Sequence, residues 1–383
     1  LAAVLNETCI AELNFSRKDY YDAFMDVATV EVLAKALETN SHVTHLNLEY
    51  SLIEVKGIKA LATALKSNTT VVDINLAGHF DFRDEGAEAL AEMLSTNRTL
   101  THLNLQSCTI GVKGIKALAT ALKLNDTVVD LNLADNWQCA DEGAEAMAVV
   151  LSTNAAIKRL NLESCRIRDA GVEALASALR INRVLTHLRL HGNDVGVQGA
   201  QALASALMVN RVVAADWNQD DSLSANLPCR SPFGASTRLQ ALADALRINQ
   251  RITWLNLQGS KIGDDLKALA DALCINQTIA RLDLQDNEIG DQGMKVLADA
   301  LRVNTTITQF YLYDNDNPIG DEGVKALAAA LEANTTIKDV GLSDDQLTDE
   351  GMQALERIKA ICEENDERER ELARAEREMQ KSP

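Results

Sequence analysis

Aromatic side chains make up only 4% of this 383-residue chain, so Leu, Ala and Val must fill its core, as happens where one small slot recurs many times. No stretch of 18 apolar residues occurs, so nothing reads as a membrane span. Basic charge is short: 37 Lys and Arg face 56 Asp and Glu, a net of −19. Nucleic-acid affinity comes from Lys and Arg on phosphates, so this balance excludes nucleic acid as a partner and disfavours anionic membrane surfaces. It leans instead toward basic partners and keeps the chain soluble. The cysteines number seven, with no C-x-x-C pair, which removes zinc spacing and a disulfide framework and points to a reducing, cytoplasmic compartment. No P-loop and no G-x-G-x-x-G segment is present. The turns DNEIGDQG and DNDNPIGDEG have the acids and glycines of a calcium loop but lack the bidentate Glu an EF-hand needs. The chain reads as free of cofactor and metal, and not as an enzyme.

What is abundant is repetition. The stretch from His102 to Asn154 repeats the stretch from His45 to Asn97, 57 residues upstream, and each copy splits into two similar halves. Each half is a short L-x-L strand, a polar turn, an amphipathic helix and an Asn. Self-similarity at such a period signals a solenoid, in which stacked units share one continuous core. Leading strand positions fall at Leu13, Leu46, Ile74, Leu103, Leu131, Leu160, Leu188, Asp216, Leu255, Leu282, Phe310 and Val340, about twelve repeats of 28/29 residues with a jump of 39 before Leu255. Residues 1–40 form an irregular N-terminal capping repeat and 41–362 the array, with an inserted loop at 219–238. Residues 363–383, with eight acids and five bases, form a charged C-terminal helix or tail. The chain opens at Leu1, in mid-pattern, which reads as a processed or trimmed start with any targeting segment upstream.

Three devices recur within a unit. Period-2 alternation sends Leu103 and Leu105 inward and His102, Asn104 and Gln106 outward. A small polar slot follows the strand, at Ser51, Cys108, Asn136, Cys165, Asn193, Ser260, Asn287 and Asn315, where Asn can satisfy backbone groups inside the bend. The helix starts near Asp84, Asp141, Asp169, Asp291, Asp321 or Asp349, each suited to N-capping, and closes on Asn, for which a left-handed C-cap is the expected role. Six of the eight N-x-S/T sequons fall on these closing Asn residues, so the repeat itself generates them.

This pattern resembles leucine-rich repeats, and the alternation of Cys and Asn at the turn is similar to the ribonuclease-inhibitor type. The resemblance implies an α/β horseshoe, with a parallel β-sheet on the concave face and helices on the convex face. It is nearly silent on function, since receptors, inhibitors, scaffolds and GTPase activators share it.

A solenoid's concave face is its usual binding surface. Its outward positions carry six acids against three Arg, a mildly acidic face. Trp217, Trp254, Tyr311 and Tyr313 fall there, with Arg159, Arg189 and Arg281 and the histidines His187 and His191. Trp, Tyr and Arg dominate interface hot spots, so these nine residues are the candidate partner-binding set. The expected function is a non-enzymatic interaction module or scaffold subunit, docking a protein partner through the concave face and the 219–238 loop. Such a module suits the recognition part of a larger assembly. Two alternatives stay open: a GTPase activator of the Ran-activating type, which shares the repeat type, a similar repeat count and an acidic region after the array, and a stoichiometric enzyme inhibitor.

Overall fold

A computed structural model describes residues 10–16, 25–190, 192–210, 235–250, 252–259, 262–313 and 319–379. It divides into two compact units, Leu1–Val213 and Ala214–Pro383. In the first, a seven-stranded parallel sheet runs in chain order through β1 (Glu12–Asn14), β2 (His45–Asn47), β3 (Asp73–Asn75), β4 (His102–Asn104), β5 (Asp130–Asn132), β6 (Arg159–Asn161) and β7 (His187–Arg189). In the second, a four-stranded parallel sheet joins β8 (Trp254–Asn256), β9 (Arg281–Asp283), β10 (Gln309–Leu312) and β11 (Asp339–Leu342). Every pairing aligns one leading strand position with the next, as in Leu46 with Ile74 and Leu103. The chain is a leucine-rich repeat solenoid of α/β class, and the periodicity placed each described strand.

Helices alternate with strands and carry the complementary stripe. In Val112–Leu122 the buried residues include Ile115, Leu118, Ala119 and Leu122, the i, i+3, i+4, i+7 pattern of one helical face. Each stripe packs behind the strand leucines, of which Leu103 and Leu105 are at most 2% exposed.

The polar residues that recur do not act where local rules put them. The helix-closing asparagines are not left-handed: Asn210 sits at φ −76°, ψ 117° and Asn304 at φ −71°, ψ 133°. They are buried, and they bond in two directions. Asn154 Nδ2 donates to Leu122 O and Asn125 O of the preceding unit, both at 2.8 Å, while its Oδ1 accepts from the N–H groups of Ala156 and Ile157. The same amide reaches back from Asn68 to Leu37, Asn97 to Leu65, Asn182 to Leu151, Asn276 to Leu246 and Asn334 to Leu301. The leucine acceptors are carbonyls from the last turn of the previous helix, which has no intrahelical partner for them. The amide nitrogens of the sequons at Asn68, Asn97, Asn125, Asn276, Asn304 and Asn334 are consumed this way, which leaves no site for a glycan on them.

The aspartates are displaced by one unit as well. Asp84 lies inside the first turn of its own helix, but its Oδ1 accepts from Gly111 N and Gly114 N, both at 2.8 Å, at the start of the next. Asp141, Asp169 and Asp291 repeat the arrangement with Gly171, Gly199 and Gly323. The glycine is required by this approach: a Cβ on Gly114 would stand 2.8 Å from the Asp84 carboxylate. Left-handed backbone occurs instead in the turns that follow the strands, among them Tyr50, Ser107, Asp135, Ser164 and Asp286, each two residues past its strand's second apolar position.

The turn slot behaves as the sequence implies. Asn136 Nδ2 donates to Leu105 O and Leu133 O, and its Oδ1 accepts from Cys108 N and Ile110 N. In the third repeat the slot holds His79, 1% exposed, whose Nδ1 lies 2.8 Å from Leu76 O. Burial lowers its pKa from the ordinary 6.5.

Two consequences are measurable. Asn154→Ala leaves two buried carbonyls and two N–H groups without partners, at about 1–3 kcal/mol per group after relaxation. Urea denaturation is therefore expected to show a loss of about 4 kcal/mol or more; a loss under about 0.5 kcal/mol would refute the role. Neutral His79 contributes stability in full above its unfolded pKa near 6.5, and that contribution is lost as pH falls from there through the lower folded value. His79→Asn is expected to narrow the difference between urea midpoints taken above and below that pKa, and an unaltered difference would count against it.

Candidate functional site

The outward strand positions form columns, because each strand is in register with its neighbours. In the first unit the leading column runs His45, Asp73, His102, Asp130, Arg159, His187. Arg159 Nε donates to Asp130 Oδ2 at 2.7 Å, and its Nη2 lies 3.3 Å from His102 Nε2. Each histidine ring is held from behind by the preceding threonine, at 2.8 Å for Thr101 Oγ1 to His102 Nδ1. That hydroxyl spends its proton on Val72 O at 2.9 Å, so at the imidazole its oxygen accepts and Nδ1 carries the hydrogen. Nε2 is then an acceptor, which suits the arginine facing it. Within the column Asp130, Arg159 and His102 are thus bonded to one another.

The second outward column is structural. Asn47, Asn75, Asn104, Asn132 and Asn161 each accept from the N–H two residues on, which bends the strand into its turn. Arg189 takes this place in β7.

The second unit's face is built differently. Trp254, Arg281, Gln309 and Asp339 align in the leading column. The Arg281 guanidinium lies 3.9 Å from the Trp254 ring centre and 4.9 Å from that of Tyr311, between two aromatic faces. Tyr311 stacks on Tyr313 with centres 6.3 Å apart and planes 17° from parallel. The Tyr311 hydroxyl donates to Asp339 Oδ2 at 2.6 Å; burial, with this bond to a carboxylate, pushes its pKa well above the usual tyrosine value. Asp283, 3% exposed, accepts from the backbone N and side-chain Nε2 of Gln285, and burial raises its pKa.

Of the nine candidates, the structure gathers Trp254, Arg281, Tyr311 and Tyr313 into one stack, and Arg159 into a separate ladder. His187 leads β7, its Nδ1 2.7 Å from Thr186 Oγ1, two residues from Arg189. Trp217, His191 and most of the 219–238 loop lie outside the described residues. Asp130, His102 and Asp339 were missed as partners; a column written at the repeat period, with opposite charges adjacent, would have found the first two. Trp137 was also missed: it follows the Asn136 slot, is 44% exposed, and has the Arg166 guanidinium 5.0 Å from its ring.

Among the described residues no group of three His, Cys, Asp or Glu is placed to hold a metal, and no helix is long and apolar enough to cross a membrane. Burial pushes the Cys108 thiol up to about 12, which suits a packed side chain and not a nucleophile.

The family model described as TMOD/LMOD leucine-rich domain matches residues 31–142 and 233–366, more than half the chain, and a leucine-rich repeat model matches 153–176 and 182–204. Mouse NACHT, LRR and PYD domains-containing protein 4E is 27% identical over 167 residues, covering 44% of this chain and 17% of that protein. Human NACHT, LRR and PYD domains-containing protein 3 is 34% identical over 74 residues, 19% of this chain and 7% of that protein. The chain thus spans less than a fifth of the length of these curated relatives. Among solved structures, the leiomodin-1 actin-binding site 2 is 18% identical at a TM-score of 0.39, covering 48% of this chain and 97% of that one. The tropomodulin C-terminal domain of Caenorhabditis elegans is 20% identical at a TM-score of 0.37, covering 47% and 98%.

The tyrosine in the stack can be read directly. With its pKa raised, Tyr311 stays protonated where an ordinary tyrosine ionises, at about pH 10. Tyr311→Phe is expected to leave the phenolate absorbance at that pH unchanged, whereas a drop matching one of the five tyrosines would contradict the geometry.

Proposed function

The chain belongs to the TMOD/LMOD leucine-rich domain family, and on that footing we propose that it is a non-enzymatic docking module whose second-unit strand face takes a protein partner. The observation that carries the reading is the stack Trp254–Arg281–Tyr311–Tyr313: three of the residues are aromatic, one is a guanidinium held between two rings, and Tyr313 remains 41% exposed. Residues of these types supply most of the energy at protein interfaces when a partner desolvates them. A sheet pinned in register from below loses little further freedom on binding, so more of the contact energy appears as affinity.

Actin is the first partner to try, because the leiomodin-1 segment carries that name; other partners would be found by cross-linking the full chain in its native extract. Against the partner so identified, Trp254→Ala and Tyr313→Ala are each expected to weaken binding by about 30-fold, the scale of a hot-spot residue. Val149→Ser, on an exposed helix face of the first unit, should leave it unchanged. Affinities within about twofold of wild type for both aromatic variants would sink the reading.

A further inference from the structure

Resting on that reading, we infer that Arg281 is the receptor for a side-chain carboxylate, presented by an acidic segment of the docked protein. The chain contains its own internal comparison. Arg159 and Arg281 occupy the same place in their strands, each leading its outward column. The residue aligned before Arg159 is Asp130, which takes the Arg159 Nε at 2.7 Å. The residue aligned before Arg281 is Trp254, which offers a ring face and no acceptor.

Among the described residues Arg281 makes no hydrogen bond and no ion pair, and its Nε is buried without a partner, as is Trp254 Nε1. A guanidinium has five N–H donors in one plane. Here the guanidinium carbon lies 3.9 Å from the Trp254 ring centre and 4.9 Å from that of Tyr311, and a ligand has to come in at the N–H groups these rings leave open. A carboxylate fits that edge with two parallel N–H···O bonds, a pairing a single carbonyl cannot match. The carboxylates of the same face are already committed: Asp283 accepts from Gln285 and Asp339 from Tyr311. The neighbouring rings restrict the fork in advance and lower the local dielectric, which strengthens a charged hydrogen bond there.

The net charge of −19 works against an acidic segment at long range. That repulsion is screened beyond about 10 Å at ordinary ionic strength, so selection has to come from contact at the fork.

The test uses the full chain and two capped tripeptides, acetyl-Glu-Glu-Glu-amide and acetyl-Gln-Gln-Gln-amide, followed by the NMR signals of arginine Nε–H and tryptophan Nε1–H groups. The glutamate peptide is expected to move the Arg281 Nε–H and Trp254 Nε1–H signals saturably at physiological salt, and the glutamine peptide to bind at least tenfold more weakly. Arg281→Lys, which keeps the charge but loses the planar fork, should weaken the glutamate peptide at least tenfold. The wild-type titration decides the matter even if that variant folds poorly. Equal response to both peptides, or a glutamate response that leaves Arg281 Nε–H unmoved, overturns the inference. So does binding that appears only with a free C-terminal carboxylate. If the inference fails while Trp254→Ala and Tyr313→Ala still cost partner affinity, the docking face stands and only its ligand chemistry is wrong.

Discussion

The fold depends on one recurring bond: the amide of a buried asparagine donating back to the last turn of the previous helix. A helix leaves four carbonyls without intrahelical partners. Where these ends are packed against a neighbour, water cannot reach them, and each unmet carbonyl would cost on the order of 1–3 kcal/mol. Asn68, Asn97, Asn154, Asn276 and Asn334 meet that need from the unit that follows, and their own Oδ1 atoms start the next strand. The aspartates do the same at the opposite helix end, as Asp84 does for Gly111 and Gly114. Both ends of a repeat are therefore completed only by stacking. This is the physical content of nearest-neighbour stability in a solenoid. At the C-terminus the 31-residue helix Asp349–Met379 passes this level without ending, and Asn365, 3% exposed within it, still donates to Asn334 O and Ile337 O.

Which residues recur was legible from the sequence; whom they bond was not. Periodicity located the strand leucines, the helical stripes and the closing asparagines, because those follow from burial on one face at a fixed spacing. It could not distinguish a left-handed cap at Asn210 from an extended residue reaching 31 positions back to Leu179, since both demand Asn at the same place. Asp84 was misread for the same reason: an aspartate near a helix start suits a local N-cap and a cap on the next unit equally. His79 escaped because it is a polar substitution in a slot otherwise filled by Ser, Cys or Asn.

The face of the sheet shows the same limit one level up. Alternation assigned Trp254, Arg281, Tyr311 and Tyr313 to one set of positions, and the register of β8, β9 and β10 brings the first three onto adjacent strands. The second-column asparagines were equally outward by pattern, yet their Oδ1 atoms are spent on the turn. Only the geometry separates the outward residues that finish the fold from those with capacity left over.

That capacity is distributed unevenly, and the unevenness is informative. In the first unit Arg159 is already bonded to Asp130 and lies against His102 Nε2, so a partner would have to break existing bonds to use them. In the second, an aromatic ring stands where the carboxylate stood, and the guanidinium's Nε is left buried and unpaired. A buried donor without an acceptor is a cost of about 1–3 kcal/mol to the isolated chain. The rings that cover the guanidinium offset part of that cost by cation–π contact. What they cannot supply is an acceptor in the plane of the N–H groups. The same cost favours any arriving group that supplies one, so the feature that weakens the isolated face is the one that would make it selective.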